Sequence, residues 1–175
     1  GLSYQAGVLS QVTDVDLLKS LLKGHPERVE NVKNPDLLNK LFGDEEVKPN
    51  DYLPHVPADI AKGVVKDKPE LFQHASDKVK TDQDLIKELL GEKKENLQWL
   101  TADAIKIGLD YDYNSKESFL NRVVDMLIEI KDGMEGQNEA EGFEVIRVSI
   151  IKAFEGDDVV KSLTEKLLKR EAQDL

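Results

Sequence analysis

Apolar residues come in pairs along the first two thirds of the chain. Leu17-Leu18 and Leu21-Leu22 are separated by two polar residues, and so are Leu37-Leu38 and Leu41-Phe42, and Leu85-Ile86 and Leu89-Leu90. Ile60-Ala61 and Val64-Val65 repeat the pattern around Lys62-Gly63. Positions i, i+1, i+4 and i+5 share one face of a helix, so each block predicts a short amphipathic helix. An aspartate stands just ahead of each block, at Asp16, Asp36, Asp59 and Asp84, with a variant at Asp103 before Ala104-Ile105. Acidic residues favour the positive end of a helix, so these mark starts. Gly24 with Pro26, Gly43 and Gly91 mark stops.

Between the blocks lie second segments: Pro26 to Val32, Asp51 to Val56, Pro69 to Ala75 and Glu95 to Leu100. Three of them carry an apolar–polar–polar–apolar motif that suits a short helix or turn. Pro54 interrupts the fourth, for which an extended or 3₁₀ path is expected. The aspartates are spaced by 20, 23, 25 and 19 residues. A self-similar period of this size is the mark of a solenoid, in which units too short to bury their own stripe stack on their neighbours. The rival is an irregular bundle whose helices happen to begin with aspartate.

The C-terminal third differs. Glu117 to Lys131 is a longer amphipathic helix, followed by a polar loop, Asp132 to Gly142, with three glycines. Phe143 to Phe154 alternates in part, but its length and the Ile150-Ile151 pair favour helix over strand. Gly156-Asp157-Asp158 restarts a last helix, with Val159, Val160, Leu163, Leu167 and Leu168 expected on its inner face. The expected fold is therefore all-α: an irregular lead over residues 1–13, helical-pair repeats over 14–110, and a three-helix bundle or cap over 111–175.

The stretch from Lys66 to Ile105 carries Lys68-Pro69-Glu70-Leu71-Phe72-Gln73-His74-Ala75-Ser76, then Lys80-Thr81-Asp82 and Asp84-Leu85-Ile86-Lys87, then Asn96-Leu97-Gln98-Trp99-Leu100. It resembles the short helical repeats of unknown function found in secreted effectors of intracellular bacteria. The match covers about two units clearly and the two before them loosely, and Asp51–Val56 departs most. The resemblance implies an α-solenoid role and no catalytic residues.

Composition narrows the chemistry. The chain has 175 residues, 24 Lys and Arg against 35 Asp and Glu, a net charge of −11 and no cysteine. Thiolate metal sites, disulfides and cysteine nucleophiles are excluded. The acidic balance argues against nucleic-acid binding, which depends on neutralising phosphates. No apolar run approaches the ~20 residues that span a bilayer, so no membrane insertion is expected. The first residues show no signal-peptide pattern, and a start at Gly1 reads as a tag remnant or a cut within a longer protein. The expected setting is cytoplasmic, or a host cytoplasm after secretion.

Candidate sites are few. Asp110, Asp112 and Asn114 fall at positions 1, 3 and 5 of an EF-hand-like loop. The remainder of that pattern fails, with Ser115 at the glycine position and Asn121 at the bidentate glutamate position. An ordinary Asx-rich turn with two packed tyrosines is the expected reading. His25, His55 and His74 lack zinc spacing, and no nucleophile elbow, P-loop or dinucleotide motif occurs. No cofactor is expected, and no enzymatic activity. The expected role is a protein–protein interaction scaffold, part of a larger bacterial protein, with Lys19, Lys62, Lys87, Tyr111 and Tyr113 as its partner-binding residues. Two rivals are an accessory helical domain that positions a catalytic domain outside these residues, and a Ca²⁺-responsive module.

Overall fold

Asp14 turns its carboxylate onto the amide of Asp16 (3.2 Å) and starts helix α2, Val15–Leu22, after a single turn α1, Ala6–Leu9. Asn34 does the same for α3, Pro35–Phe42, accepting from the amides of Asp36 (3.0 Å) and Leu37 (3.4 Å). These are N-caps, and they satisfy amides that a helix start leaves without partners. The turn α4, Pro49–Tyr52, runs into a 3₁₀ segment, Leu53–His55, and α5 spans Ala58–Asp67. After the turn α6, Asp77–Lys80, Asp82 caps α7, Gln83–Glu92, and Thr101 caps α8, Ala102–Gly108. Three longer helices follow: α9, Lys116–Gly133; α10, Glu139–Ala153; and α11, Val159–Gln173. This computed structural model describes residues 6–134 and 139–173, and every regular element among them is helical.

The predicted second segments are 3₁₀ turns: Pro26–Asn31, Leu53–His55, Pro69–His74 and Lys94–Trp99. Each closes with the same bond. The amides of Val32, Val56, Ala75 and Leu100 donate to the carbonyls of Val29, Leu53, Phe72 and Leu97, at 3.0 to 3.2 Å. Both partners in each pair are buried. A three-residue turn places i and i+3 on one side, which is why the apolar–polar–polar–apolar motif suits it. The segment interrupted by Pro54 takes the 3₁₀ path.

This recurrence is local. The chain divides into two compact units, Gly1–Lys80 and Thr81–Leu175. In the first, α2 packs on α3, α3 on α5 and α5 on α6, while the 3₁₀ turn at Pro26–Asn31 packs on Leu53–His55. Leu18, Leu22, Leu38, Leu53, Val64 and Phe72 form its core. In the second, α7 packs on α8, α10 covers the Lys94–Trp99 turn, and α11 lies against α9. Phe119, Val123, Leu127, Ile150, Phe154 and Leu163 are buried there. Each such side chain contributes roughly 1.5–3 kcal/mol on leaving water. Asn96 is the one polar side chain in this core among the described residues, and its Nδ2 donates to the Leu89 carbonyl at 2.7 Å.

Two expectations need correction. The loop expected over Asp132–Gly142 is shorter, because α9 continues to Gly133 and α10 begins by Glu139; residues 135–138 lie outside the described ones. Leu168, expected on the inner face of α11, is 59% exposed. Val159, Leu163 and Leu167 are spaced by four and take the buried stripe, and the next residue turns about 100° away from it.

Candidate functional site

The loop after α8 is assembled by backbone bonds before any side chain contributes. The amide of Asp110 donates to the Ile107 carbonyl (3.3 Å) and that of Tyr111 to the Lys106 carbonyl (2.8 Å). This crossed pair is a Schellman ending, which requires a left-handed residue at its turn. Asp110 fills that place with φ 54°, a conformation that aspartate tolerates better than most residues. The chain then enters a second small device. Asp112 Oδ1 accepts from the Asn114 amide (2.9 Å), its carbonyl accepts from the Ser115 amide (2.8 Å), and Tyr113–Ser115 forms a 3₁₀ turn leading into α9.

Side chains from three helices fasten this loop. Lys87 of α7 forms an ion pair with Asp110 (3.4 Å), and Arg122 of α9 donates to the Asp110 carbonyl (3.0 Å). Tyr111 is half-buried, edge-on to Phe119 with ring centres 4.9 Å apart, and Phe119 in turn meets Phe154 at 6.2 Å. Lys106 of α8 sets its ammonium 5.2 Å from the Tyr111 ring and 5.8 Å from that of Phe154, and bonds Asp157 at 2.7 Å. The Lys106 ammonium, helped by the Val159 amide, holds the Asp157 carboxyl down to about 2. Lys116 bonds Asp158 at 2.9 Å, which raises its own pKa. Out of this clamped loop stands Tyr113, 85% exposed.

Three of the five candidate partner residues, Lys87, Tyr111 and Tyr113, thus belong to one site. Of the two tyrosines expected to pack in this turn, only Tyr111 does, edge-on to Phe119, whereas Tyr113 turns its ring into solvent. Lys19 and Lys62 belong to the first unit. Lys19 bonds Asp44 (2.8 Å) and Glu46 (3.1 Å), and it tethers α2 to the turn after α3. The Asp44 carboxylate, then that of Glu46, raises the Lys19 pKa, and Lys19 lowers that of Asp44. Lys62 is half-buried on α5. Of the possible calcium ligands, Asp110 faces Lys87 and Asp112 caps Asn114. Among the described residues no group of three or more His, Asp or Glu converges to hold a metal ion.

Sequence reasoning missed Arg122, Lys106 and Asp157, the residues that fix the loop. Lys106 and Asp157 are 51 positions apart, and no local pattern joins them. Comparison of the chain with protein-family models, with curated proteins and with solved structures gives no match in any of the three. Among the described residues no helix is long and apolar enough to cross a membrane.

Proposed function

We propose that the protein is an interaction module that docks a partner protein on the loop Asp110–Ser115 and carries no catalysis of its own. One observation supports this reading: Tyr113 is 85% exposed on a backbone held by two crossed helix-end bonds, an Asx cap and two cations. Tyrosine buries a large rigid surface at little entropic cost, and a preformed loop reduces that cost further. Asp110 and Asp112 precede Tyr113 in the same loop, and both are exposed. Residues 81–175 hold 22 acidic against 13 basic side chains, so they carry −9 of the net −11. The partner surface that fits is a pocket for an aromatic ring bordered by Arg or Lys. A nucleic acid would meet phosphate–carboxylate repulsion there. The resemblance of Lys66–Ile105 to repeats of secreted bacterial effectors suggests a bacterial or host cytoplasm as the setting.

Affinity capture from lysate tests the proposal, with the wild type and Tyr113→Ala as baits. A partner captured saturably, competed by untagged protein and weakened at least tenfold by Tyr113→Ala is the expected result, with the melting temperature unchanged. A competed partner that binds Tyr113→Ala as well as wild type sinks the assignment to this loop, and no competed partner sinks the module itself.

A further inference from the structure

In the first compact unit each helix uses one face towards the helix after it and another towards the helix before. Asn39 of α3 reaches forward: its Nδ2 donates to Asp67 at the end of α5 (2.9 Å), and the Lys68 ammonium donates to its carbonyl (2.8 Å). Leu37 and Leu41 stand two positions before and after Asn39, each about 200° around the helix, and so lie on the side of α2. Both are buried, between α2 and α5. The same two places in α5 are Ile60, half-buried, and Val64, buried. Lys19 is the counterpart of Asn39 in α2, and it too reaches forward, to Asp44 and Glu46 beyond α3. Leu17 and Leu21 therefore face backward, away from α3. Leu17 is 50% exposed and Leu21 half-buried. Leu17 and Val8 of α1 (49%) are the large hydrophobic side chains that this unit exposes among the described residues. An end unit that closes a stacked array presents a polar outer face, whereas α2 presents leucines.

The turn ahead of α2 identifies the occupant. The Val12 amide donates to the Leu9 carbonyl (3.4 Å), and both residues are buried. This is the closing bond of the 3₁₀ turns. Helix α1 packs on the Pro26–Asn31 turn, as that turn packs on Leu53–His55. Leu9–Val12 is thus the turn half of a repeat. In later repeats a helix with paired apolar residues stands ahead of the turn, with Leu22 seven residues before Val29 and Val65 seven before Phe72.

We infer that Leu17 and Leu21 form an open repeat junction, whose occupant is one more helix of the same pattern joined ahead of α1 in the same polypeptide. That helix covers the two leucines as α2 covers Leu37 and Leu41. Its charge is set as well. Asp44 and Asp67 stand two residues past the last apolar residue of α3 and α5, where they accept the forward-reaching side chain. In α2 that place is Gly24, beside the exposed Lys23, so the arriving helix fits with a carboxylate where α2 carries Lys19. The inference goes beyond the docking role of Tyr113, which takes no part in it.

An extended chain is the test. A copy of Asp14–Leu22, with glutamate in place of its lysine, replaces Gly1-Leu2 ahead of Ser3, so that its last leucine stands seven residues before Leu9. The expected result is a gain in helical circular dichroism and a melting temperature at least about 4 °C above that of the unextended chain. Leu17→Asp, a change at a half-exposed site, shifts the unextended chain by no more than about 2 °C and abolishes the gain in the extended one. An extension of the same composition in scrambled order gives no gain. An extended chain that melts with the unextended one, a gain that survives Leu17→Asp, or an equal gain from the scrambled extension overturns the inference. Sedimentation equilibrium of the unextended chain covers the rival occupant: a dimer that Leu17→Asp dissociates gives the stripe to a second copy and overturns it too.

Discussion

Asn34 carries the start of α3 on one oxygen, which takes the amides of Asp36 and Leu37. Asp36, two residues later, is exposed and acts only through the field of the helix end. The same offset recurs: caps at Asp14, Asn34, Pro57, Asp82 and Thr101 precede Asp16, Asp36, Asp59, Asp84 and Asp103. The recurring aspartate is therefore a first-turn residue and not the cap, and at Pro57 no side chain caps at all. The two roles separate by magnitude. Asn34→Ala is expected to cost about 1 kcal/mol of stability, because it leaves helix-start amides without their acceptor. Asp36→Asn is expected to cost only about 0.3–1 kcal/mol at low ionic strength, and the loss fades with added salt. Urea denaturation of both variants at low and high salt checks the pair.

At the scale of elements, two glycines inside helices make opposite predictions. A Cβ at Gly63, on the exposed side of α5, would meet nothing within 4 Å. Gly63→Ala is expected to stabilise by up to about 1 kcal/mol through helix propensity. A Cβ at Gly108 would come within 2.7 Å of Leu90 Cδ1 and 2.8 Å of Ile86 Cγ2, where α8 packs on α7. There the overlap outweighs propensity, and Gly108→Ala is expected to destabilise by about 1–3 kcal/mol. Thermal melts of the two variants in parallel decide it. The short helices were legible because paired apolar residues at helical spacing leave few alternatives, and the 3₁₀ turns because Val29/Val32 and Leu97/Leu100 are three apart. The extent of α9 and α10 was not, since Gly133, Gly136 and Gly142 read as a loop. Burial of Phe143, next to Gly142, outweighs the roughly 1 kcal/mol that a helical glycine costs. The site was legible as a turn with two tyrosines. Its rigidity was not, because Asp110 holds the left-handed position that glycine usually marks, and Lys106 and Asp157 meet only through the fold.

Over the whole molecule, charge is distributed unevenly, and the ion pairs inside the second unit work against a background of −9. Lys106–Asp157 is the most consequential of these, because it joins α8 to the start of α11 beneath the Tyr111 loop. Its partners are 23% and 25% exposed, so solvent screens part of their attraction and the pair contributes about 1 kcal/mol. The pKa of Asp157 falls from the ordinary 3.8 to about 2 on folding, so the folded state favours the ionised carboxylate. That contribution is fully present above pH 3.8. It declines as pH falls below that value and is gone once the folded carboxyl protonates near 2. Asp157→Asn removes the charge and keeps the shape. It is expected to be about 1 kcal/mol less stable than wild type at neutral pH, with the gap narrowing below about pH 4 and closing near 2. Urea midpoints of both proteins from neutral pH down to the acid limit measure the gap directly. A gap that persists unchanged below pH 2 would assign the loss to packing around Phe154 and Tyr111, and not to the ion pair.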